Sequence, residues 1–393
     1  QVCLKHRRPA CALTVGALRP MRSEWQRSCA RLAAAAAGPP AGRADGGGDD
    51  GVDALACTCP GPQLLQRGWV VVDAAFGPRV ARELAAECHA LQRKGLLAPH
   101  RFEFAGENGA RRAFEHEGRS FADLDEGRVQ PGVWAAAPQL GHIATDYAGE
   151  LLAALARRLP ALRLNTDPQS AQVKVQVTHG PQGCAPCHYD TSDSASTRQL
   201  TLLVYLSENW SAEFGGELQL MPFVRAPVAL APLFDRAVLF LSDRVLHRSL
   251  PPRGAGISTP RWLLTVWLDG LAVDQPFPGA GPWPPALQRL VAPALYSEAY
   301  LAALEESMPP GCALQALLAA QAAEAAALDR DSDLAEMLAG LREAAAEAAA
   351  EEAEAESSED GGASGAEPAP AQKRQRVPDG GGEPRARRAR QKK

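Results

Sequence analysis

The string HGPQGCAPCHYD places His188 and Asp190 two residues apart, and one further histidine, His247, follows far downstream in LSDRVLHRSLPP. On an extended strand, residues i and i+2 face the same side, so His188 and Asp190 can hold one metal ion together, with His247 supplied by a later strand. Two imidazoles and one carboxylate leave coordination positions open for reactants. A second constellation begins with Arg261, which opens RWLLTVWL fourteen residues past His247. Strand alternation puts Arg261, Leu263, Thr265 and Trp267 on one face. A guanidinium turned into an apolar barrel is costly unless it meets an anion, and it binds a carboxylate in bidentate fashion. Tyr205, near the end of RQLTLLVYL, and Thr265 offer hydroxyls to the same anion.

Two His and one Asp are the ligand set of non-heme Fe(II) oxygenases. The far carboxylate of a chelating 2-oxo acid is the anion that Arg261 would answer. Competing readings attach to the same strings. Cys184, Cys187 and His188 form C-x-x-C-H, the signature of c-type heme attachment, and the two cysteines alone could be a thiol redox pair or plain loop residues. A c-type cytochrome is mostly helical, whereas this motif lies between strands. His179, in a turn, reads as a solvated histidine. Asp193 would leave the face that carries His188, and Asp243 suits a turn or a supporting contact. Gly215 and Gly216 open a strand and no helix, so they mark a tight turn or bulge with no role in binding phosphate.

The elements that must position these residues follow from periodicity. GWVVVDAAF reads as a strand, followed by a helix in which Val80, Leu84, Cys88 and Leu91 recur at helical spacing. A second helix is predicted from about Ile143 to Leu159, stopped by Pro160. From Ala171 the period changes to two: AQVKVQVT, RQLTLLVYL, GELQLM, RAVLFL and RWLLTVWL are short strands bounded by turn residues. Five strands, with room for two or three weaker ones, predict an all-β core with flanking helices, a sandwich, barrel or jelly roll. A Pro/Gly linker at 273–285 precedes Ala- and Leu-rich helices. Residues 1–62 are expected to be a disordered arm, 63–165 a supporting strand and helix, 166–272 the core, 273–350 linker and helical extension, and 351–393 a disordered acidic-then-basic tail.

Composition narrows the function classes. The chain has 393 residues, 46% of them hydrophobic, with 35 Gly and 32 Pro, and a net charge of −5. That charge argues against an overall nucleic-acid or anionic-membrane coat, and no apolar run is long enough to span a bilayer. Nine irregularly spaced cysteines do not resemble a secreted disulfide framework and favour a reducing compartment. Glu324 to Asp360 carries thirteen acids and two bases, after which the chain turns basic in QKRQRVPDGGGEPRARRARQKK. The basic tail suits nuclear import or contact with RNA. The Arg- and Ala-rich start would suit organellar import.

From Lys174 to Leu268 the order and spacing of these blocks resemble the catalytic domain of the 2-oxoglutarate and iron(II) dependent oxygenases, in the prolyl-4-hydroxylase-like branch. A looser similarity reaches back to GWVVVDAAFGPRVARELAAECHALQRKGLL. The resemblance implies a double-stranded β-helix, with Fe(II) on His188, Asp190 and His247, and Arg261 binding 2-oxoglutarate with help from Tyr205 and Thr265. It also implies O₂ as oxidant, ascorbate as the reductant that maintains the iron, and a protein side chain, with proline foremost, as the group hydroxylated. Two departures stand out. Val177 and Thr178 occupy a stretch where many relatives carry a tyrosine, and a Gly/Pro loop, PPRGAGISTP, lengthens the path from His247 to Arg261. The competing function is a catalytically inactive barrel that serves as a scaffold, with its acidic helices and basic tail as interaction surfaces.

Overall fold

The Ala-rich run assigned above to a disordered arm contains a helix, α1 (Arg22–Ala37). Its Trp25, Cys29, Leu32, Ala33 and Ala36 recur at helical spacing and are buried. Trp25 meets the rings of Phe76 and Tyr147 at 5.3 and 5.2 Å, and the Ser28 hydroxyl lies 2.8 Å from that of Tyr147. Alanine is the strongest helix former, so a low-complexity run with one apolar face needs only a surface to pack on. A computed structural model gives this architecture and describes residues 22–38, 63–105, 111–191, 196–271, 273–275 and 283–360. The rest of the leading arm and the basic tail lie outside the described residues, as does Asp193.

The chain continues through α2 (Gln63–Arg67), β1 (Trp69–Val72) and α3 (Pro78–Arg93), whose Val80, Leu84, Cys88 and Leu91 are buried as expected. Next comes a hairpin that the periodicity did not reveal, β2 (Ala98–Ala105) with β3 (Arg111–Asp123). Short helices α4 (Val133–Ala136) and α5 (Pro138–His142) and one π-helical turn lead into α6 (Ala148–Arg158). Strands β4 (Gln172–Thr178), β5 (Arg198–Tyr205), β6 (Leu218–Pro222), β7 (Val228–Leu230), β8 (Ala237–Leu241), β9 (Val245–Ser249) and β10 (Arg261–Asp269) follow. All strand pairs are antiparallel: β1-β8-β5-β10-β4-β3-β2 form the major sheet and β7-β6-β9 the minor one. This is the double-stranded β-helix.

Alternation in the central strands separates packing from chemistry. Val173, Val175 and Val177 of β4, Leu202 and Val204 of β5, and Trp262, Leu264 and Val266 of β10 join one core with buried residues of α1, α3 and α6. The intervening residues line a cavity of about 870 Å³ between the two sheets. Register arranges them in rows: Arg119, Thr178 and Arg261 in one, Gln176, Leu263 and Tyr205 in the next, then Lys174, Thr265 and Leu203. Direct cross-strand partners face the same side of a sheet, so each row presents its side chains to the cavity together.

Four helices follow: α7 (Pro285–Leu295), α8 (Ser297–Ser307), α9 (Cys312–Arg330) and α10 (Ser332–Asp360). The tail expected to be disordered from residue 351 therefore begins as a continuation of α10. By compactness the chain divides after Ala349, and the second unit contributes only the end of α10 to the described residues. The first two helices do not stand apart as an extension. Ala292 of α7 and Ala303 of α8 pack with Cys187, Tyr189, Met221 and Leu246, against the minor sheet and the segment that carries His188 and Asp190. Among the described residues, no helix is long and apolar enough to cross a membrane.

Candidate active site

His188 does not lie on a regular strand. It forms an isolated antiparallel bridge with His247 of β9, each backbone N–H donating to the other's carbonyl at 3.0 and 3.1 Å. The expected alternation still holds across this segment. The whole segment borders the cavity, but His188 and Asp190 gather with His247 while Cys187 and Tyr189 pack with the C-terminal helices. Both histidines orient their rings in the same way: Nδ1 of His188 is 2.9 Å from the Pro186 carbonyl and Nδ1 of His247 is 3.2 Å from that of Val245. A carbonyl accepts only from N–H, so the proton sits on Nδ1 and the Nε2 lone pair is free for a metal. The Nε2 atoms lie 3.7 and 3.9 Å from Asp190 Oδ1. The ligand atoms of all three residues fall within 4.8 Å of one another, the single such group among the described residues.

The carboxylate is held from behind. Thr201 Oγ1, on β5, donates to Asp190 Oδ2 at 2.6 Å and lies 2.8 Å from Ser242 Oγ. Burial alone would raise the Asp190 carboxyl; the two imidazoles and the Thr201 hydroxyl outweigh it and bring it down to about 2. Burial, together with the His247 imidazole, pulls His188 down to about 4. The apo site at neutral pH therefore presents an ionised carboxylate and a neutral His188, the forms that bind a cation.

Arg261 lies in the same cavity, as do Tyr205 and Thr265. Its guanidinium donates to the Gly216 carbonyl and, at 3.1 Å, to that of Gly183. Gly216 adopts φ +79°, and a Cβ there would collide with the Arg261 guanidinium. The paired glycines thus mark a turn, as the sequence suggested, and one of them also seats the arginine. Burial pushes the Tyr205 phenol up to about 12, so at neutral pH it is an O–H donor. Thr178, in place of an expected tyrosine, lines the cavity between Arg119 and Arg261, whereas Val177 points into the core.

The other candidates have structural uses. Cys184 and Cys187 are free thiols, and their S–H groups donate to the carbonyls of Glu306 and Ala299 on α8 at 3.3 and 3.5 Å. Burial pushes them up to about 11 and about 12, so both are protonated. His179 is exposed. Asp243 is fully buried and accepts from Arg244 and the Asp274 amide, each at 3.0 Å. The periodicity missed Thr201, Lys174 and Arg119. Thr201 lies four residues before Tyr205 on one strand, so alternation alone could have found it. Arg119 lies in the polar hairpin, which gave no strand signal.

A family model described as the 2OG-Fe(II) oxygenase superfamily matches residues 173–269, the stretch that carries the triad and Arg261. A prolyl 4-hydroxylase structure from Phytophthora capsici is 31% identical, with a TM-score of 0.60, covering 72% of this chain and 90% of that one. The chain belongs to the 2OG-Fe(II) oxygenase superfamily. Two further oxygenase structures match with TM-scores of 0.40. One is a Pseudomonas putida prolyl-4-hydroxylase at 22% identity, covering 53% of this chain and 95% of that one. The other is a Trichoplax adhaerens prolyl hydroxylase bound to a hypoxia inducible factor peptide, at 20% identity, covering 53% and 86%. No curated protein matches. As a 2OG-Fe(II) oxygenase, the chain uses Fe(II), 2-oxoglutarate and O₂, and its two-histidine, one-carboxylate donor set suits that ion.

Proposed function

We propose that the protein hydroxylates a C–H bond in a protein side chain, with proline the foremost target, coupled to oxidative decarboxylation of 2-oxoglutarate. His188, Asp190 and His247 hold the iron, and Arg261 binds the far carboxylate of 2-oxoglutarate with Tyr205 and Thr265. The observation that carries this reading is one cavity containing both the triad and a half-buried guanidinium seated on two carbonyls. The 31% identity to a prolyl 4-hydroxylase supports the choice of target. When bound, the metal and co-substrate supply the redox chemistry.

The chain's own part is orientation. The Pro186 and Val245 carbonyls fix the imidazoles, and Thr201 keeps one carboxylate oxygen of Asp190 occupied so that the other faces the ion. The Gly216 and Gly183 carbonyls aim the guanidinium of Arg261, and Tyr205 stays protonated as a donor. Ascorbate belongs to the same reading, as the reductant that returns oxidised iron to Fe(II).

The test is succinate release from 2-oxoglutarate by the full chain with Fe(II) and ascorbate, together with mass spectrometry of proline-containing peptides for the gain of one oxygen atom. Both signals should disappear in His247→Ala and Arg261→Ala. Calorimetry with Mn(II) and 2-oxoglutarate separates an enzyme from a scaffold: no binding of either by the wild type would sink the reading.

A further inference from the structure

Charge in the cavity does not close once the site is loaded. On the reading above, the two positive charges of the iron and the guanidinium of Arg261 are matched by the Asp190 carboxylate and the two carboxylates of 2-oxoglutarate. Asp190 is the one carboxylate lining the cavity among the described residues, yet Lys174, Arg101, Arg119, Arg128 and Arg198 line it as well. Neither Lys174 nor Arg119 makes an ion pair within 4.0 Å among those residues, and Asp123, opposite Lys174 on β3, shares its charge among Lys174, Arg128 and Arg198. Cations that outnumber the carboxylates beside them in a half-enclosed space are costly unless a ligand supplies the missing charge.

The two residues occupy different places. Arg119 shares its row with Arg261, donates weakly to the Cys184 carbonyl and the Ser249 hydroxyl at 3.4 Å, and belongs to the Arg261 end of the cavity. Lys174 is two rows away on β4, opposite Thr265. The following row pairs Trp267 with Thr201, the residue that holds the metal-binding carboxylate. The Lys174 ammonium rests over the rings of Trp267 and Phe121, 4.8 and 5.4 Å from their centroids. Such contacts hold a cation in place without neutralising it. A positioned ammonium thus stands at the metal end of the cavity, and once Asp190 is engaged by the metal its remaining counter-charge is the Asp123 carboxylate across from it on β3.

We propose that Lys174 is the receptor for an anionic group, a carboxylate or a phosphate, on the peptide that this oxygenase hydroxylates, borne within a few residues of the target position. The proposal rests on the oxygenase reading and names the chemical class of its primary substrate. A polynucleotide fits less well, because the cations toward the rim are already engaged: Arg128 with Asp125 at 2.8 Å, and Arg101 facing Glu115 at 3.9 Å. Among the described residues this leaves no open row of cations there for a phosphate backbone.

The test uses the full chain under nitrogen with Fe(II) and 2-oxoglutarate, so that binding is read without turnover. The probes are fluorescein-labelled peptides with one proline, each carrying a single Asp, Glu or phosphoserine at one of the flanking positions, with Asn, Gln or Ser counterparts. Anisotropy should show at least tenfold tighter binding of an acidic peptide at one position, the Asp/Glu and phosphoserine arms telling carboxylate from phosphate. Lys174→Met should collapse that ratio to near one, Lys174→Arg should retain it, and Lys174→Glu should reverse it toward a lysine-bearing peptide. The proposal is overturned by equal binding of acidic and amide peptides to the wild type. It is also overturned by a tenfold loss of 2-oxoglutarate affinity in Lys174→Met, which would assign the ammonium to the co-substrate, or by a single-stranded RNA binding more tightly than every peptide. Succinate formation without charge preference would overturn this proposal alone, whereas absence of succinate formation by the wild type would overturn the activity beneath it.

Discussion

The hydrogen bond from Thr201 to Asp190 offers the sharpest test of how the metal centre is built. Thr201→Val is nearly isosteric and removes only the hydroxyl that donates to Asp190 Oδ2 at 2.6 Å. A hydrogen bond to a buried charged group is worth about 1.5 to 3 kcal/mol. It exists with or without metal, so that energy is lost from the folded protein in either state. For a domain of this size each kcal/mol corresponds to roughly 2 to 4 °C in Tm. Without the donor the Asp190 carboxyl must rise from about 2, since one of the influences holding it down is gone. The carboxylate is also free to rotate, and loss of such a supporting partner weakens metal affinity by about ten- to a hundredfold. Calorimetric titration of Mn(II) at pH 7 measures this directly, and Thr201→Ser, which keeps the hydroxyl, should remain within threefold of the wild type. Mn(II) affinity unchanged within threefold in Thr201→Val would refute the idea that Thr201 orients Asp190.

Two further outcomes follow from neighbouring geometry. Gly216→Ala places a methyl group against the Arg261 guanidinium at a positive φ, a strain of roughly 1–2 kcal/mol in itself; the KM for 2-oxoglutarate should rise at least tenfold while Mn(II) affinity stays near that of the wild type, and an unchanged KM would remove Arg261 from the co-substrate site. In the hairpin, burial and the nearby Arg119 guanidinium pull His116 down to about 4 and His100 down to about 2, below their ordinary value of 6.5. The unfolded chain then takes up protons that the folded protein does not, so stability contributed by these groups is present above pH 6.5 and lost as pH falls, for His116 until about pH 4, at up to about 1.4 kcal/mol per pH unit. Urea midpoints between pH 7 and 4.5 should therefore fall less steeply for His116→Gln than for the wild type; parallel slopes would show that His116 is protonated in the folded state.

What could be read from the sequence was what alternation encodes. Arg261, Thr265 and Tyr205 lie on regular strands, and the period of two that identified those strands also gave their facing. Thr201 obeys the same rule and was passed over because its function depends on a partner, Asp190, whose segment is irregular. Helix α1 escaped notice because its interior is alanine, a composition shared by helices and low-complexity arms alike; only the spacing of Trp25, Cys29 and Leu32 tells them apart. The β2–β3 hairpin escaped for a different reason. Arg, Glu and His crowd its strands because one face borders a polar cavity, and this erases the usual apolar alternation.

The irregular segment from Cys184 to Asp190 is where strand logic gives way to contacts from three sides. Thr201 on the major sheet fixes Asp190, the backbone of β9 in the minor sheet fixes His188, and α8 receives the thiols of Cys184 and Cys187. Arg248, next to His247, adds a tie to the same helix through Glu306 at 3.0 Å, with Gln219 of β6 on its other side at 2.7 Å. The cysteines, for which the sequence left heme attachment, a redox pair and plain packing open, are packing residues at the rear face of the segment that carries His188 and Asp190. The C-terminal helices, which composition set apart as an extension, complete its support: a ligand segment without a ladder of its own has to be held by whatever packs behind it.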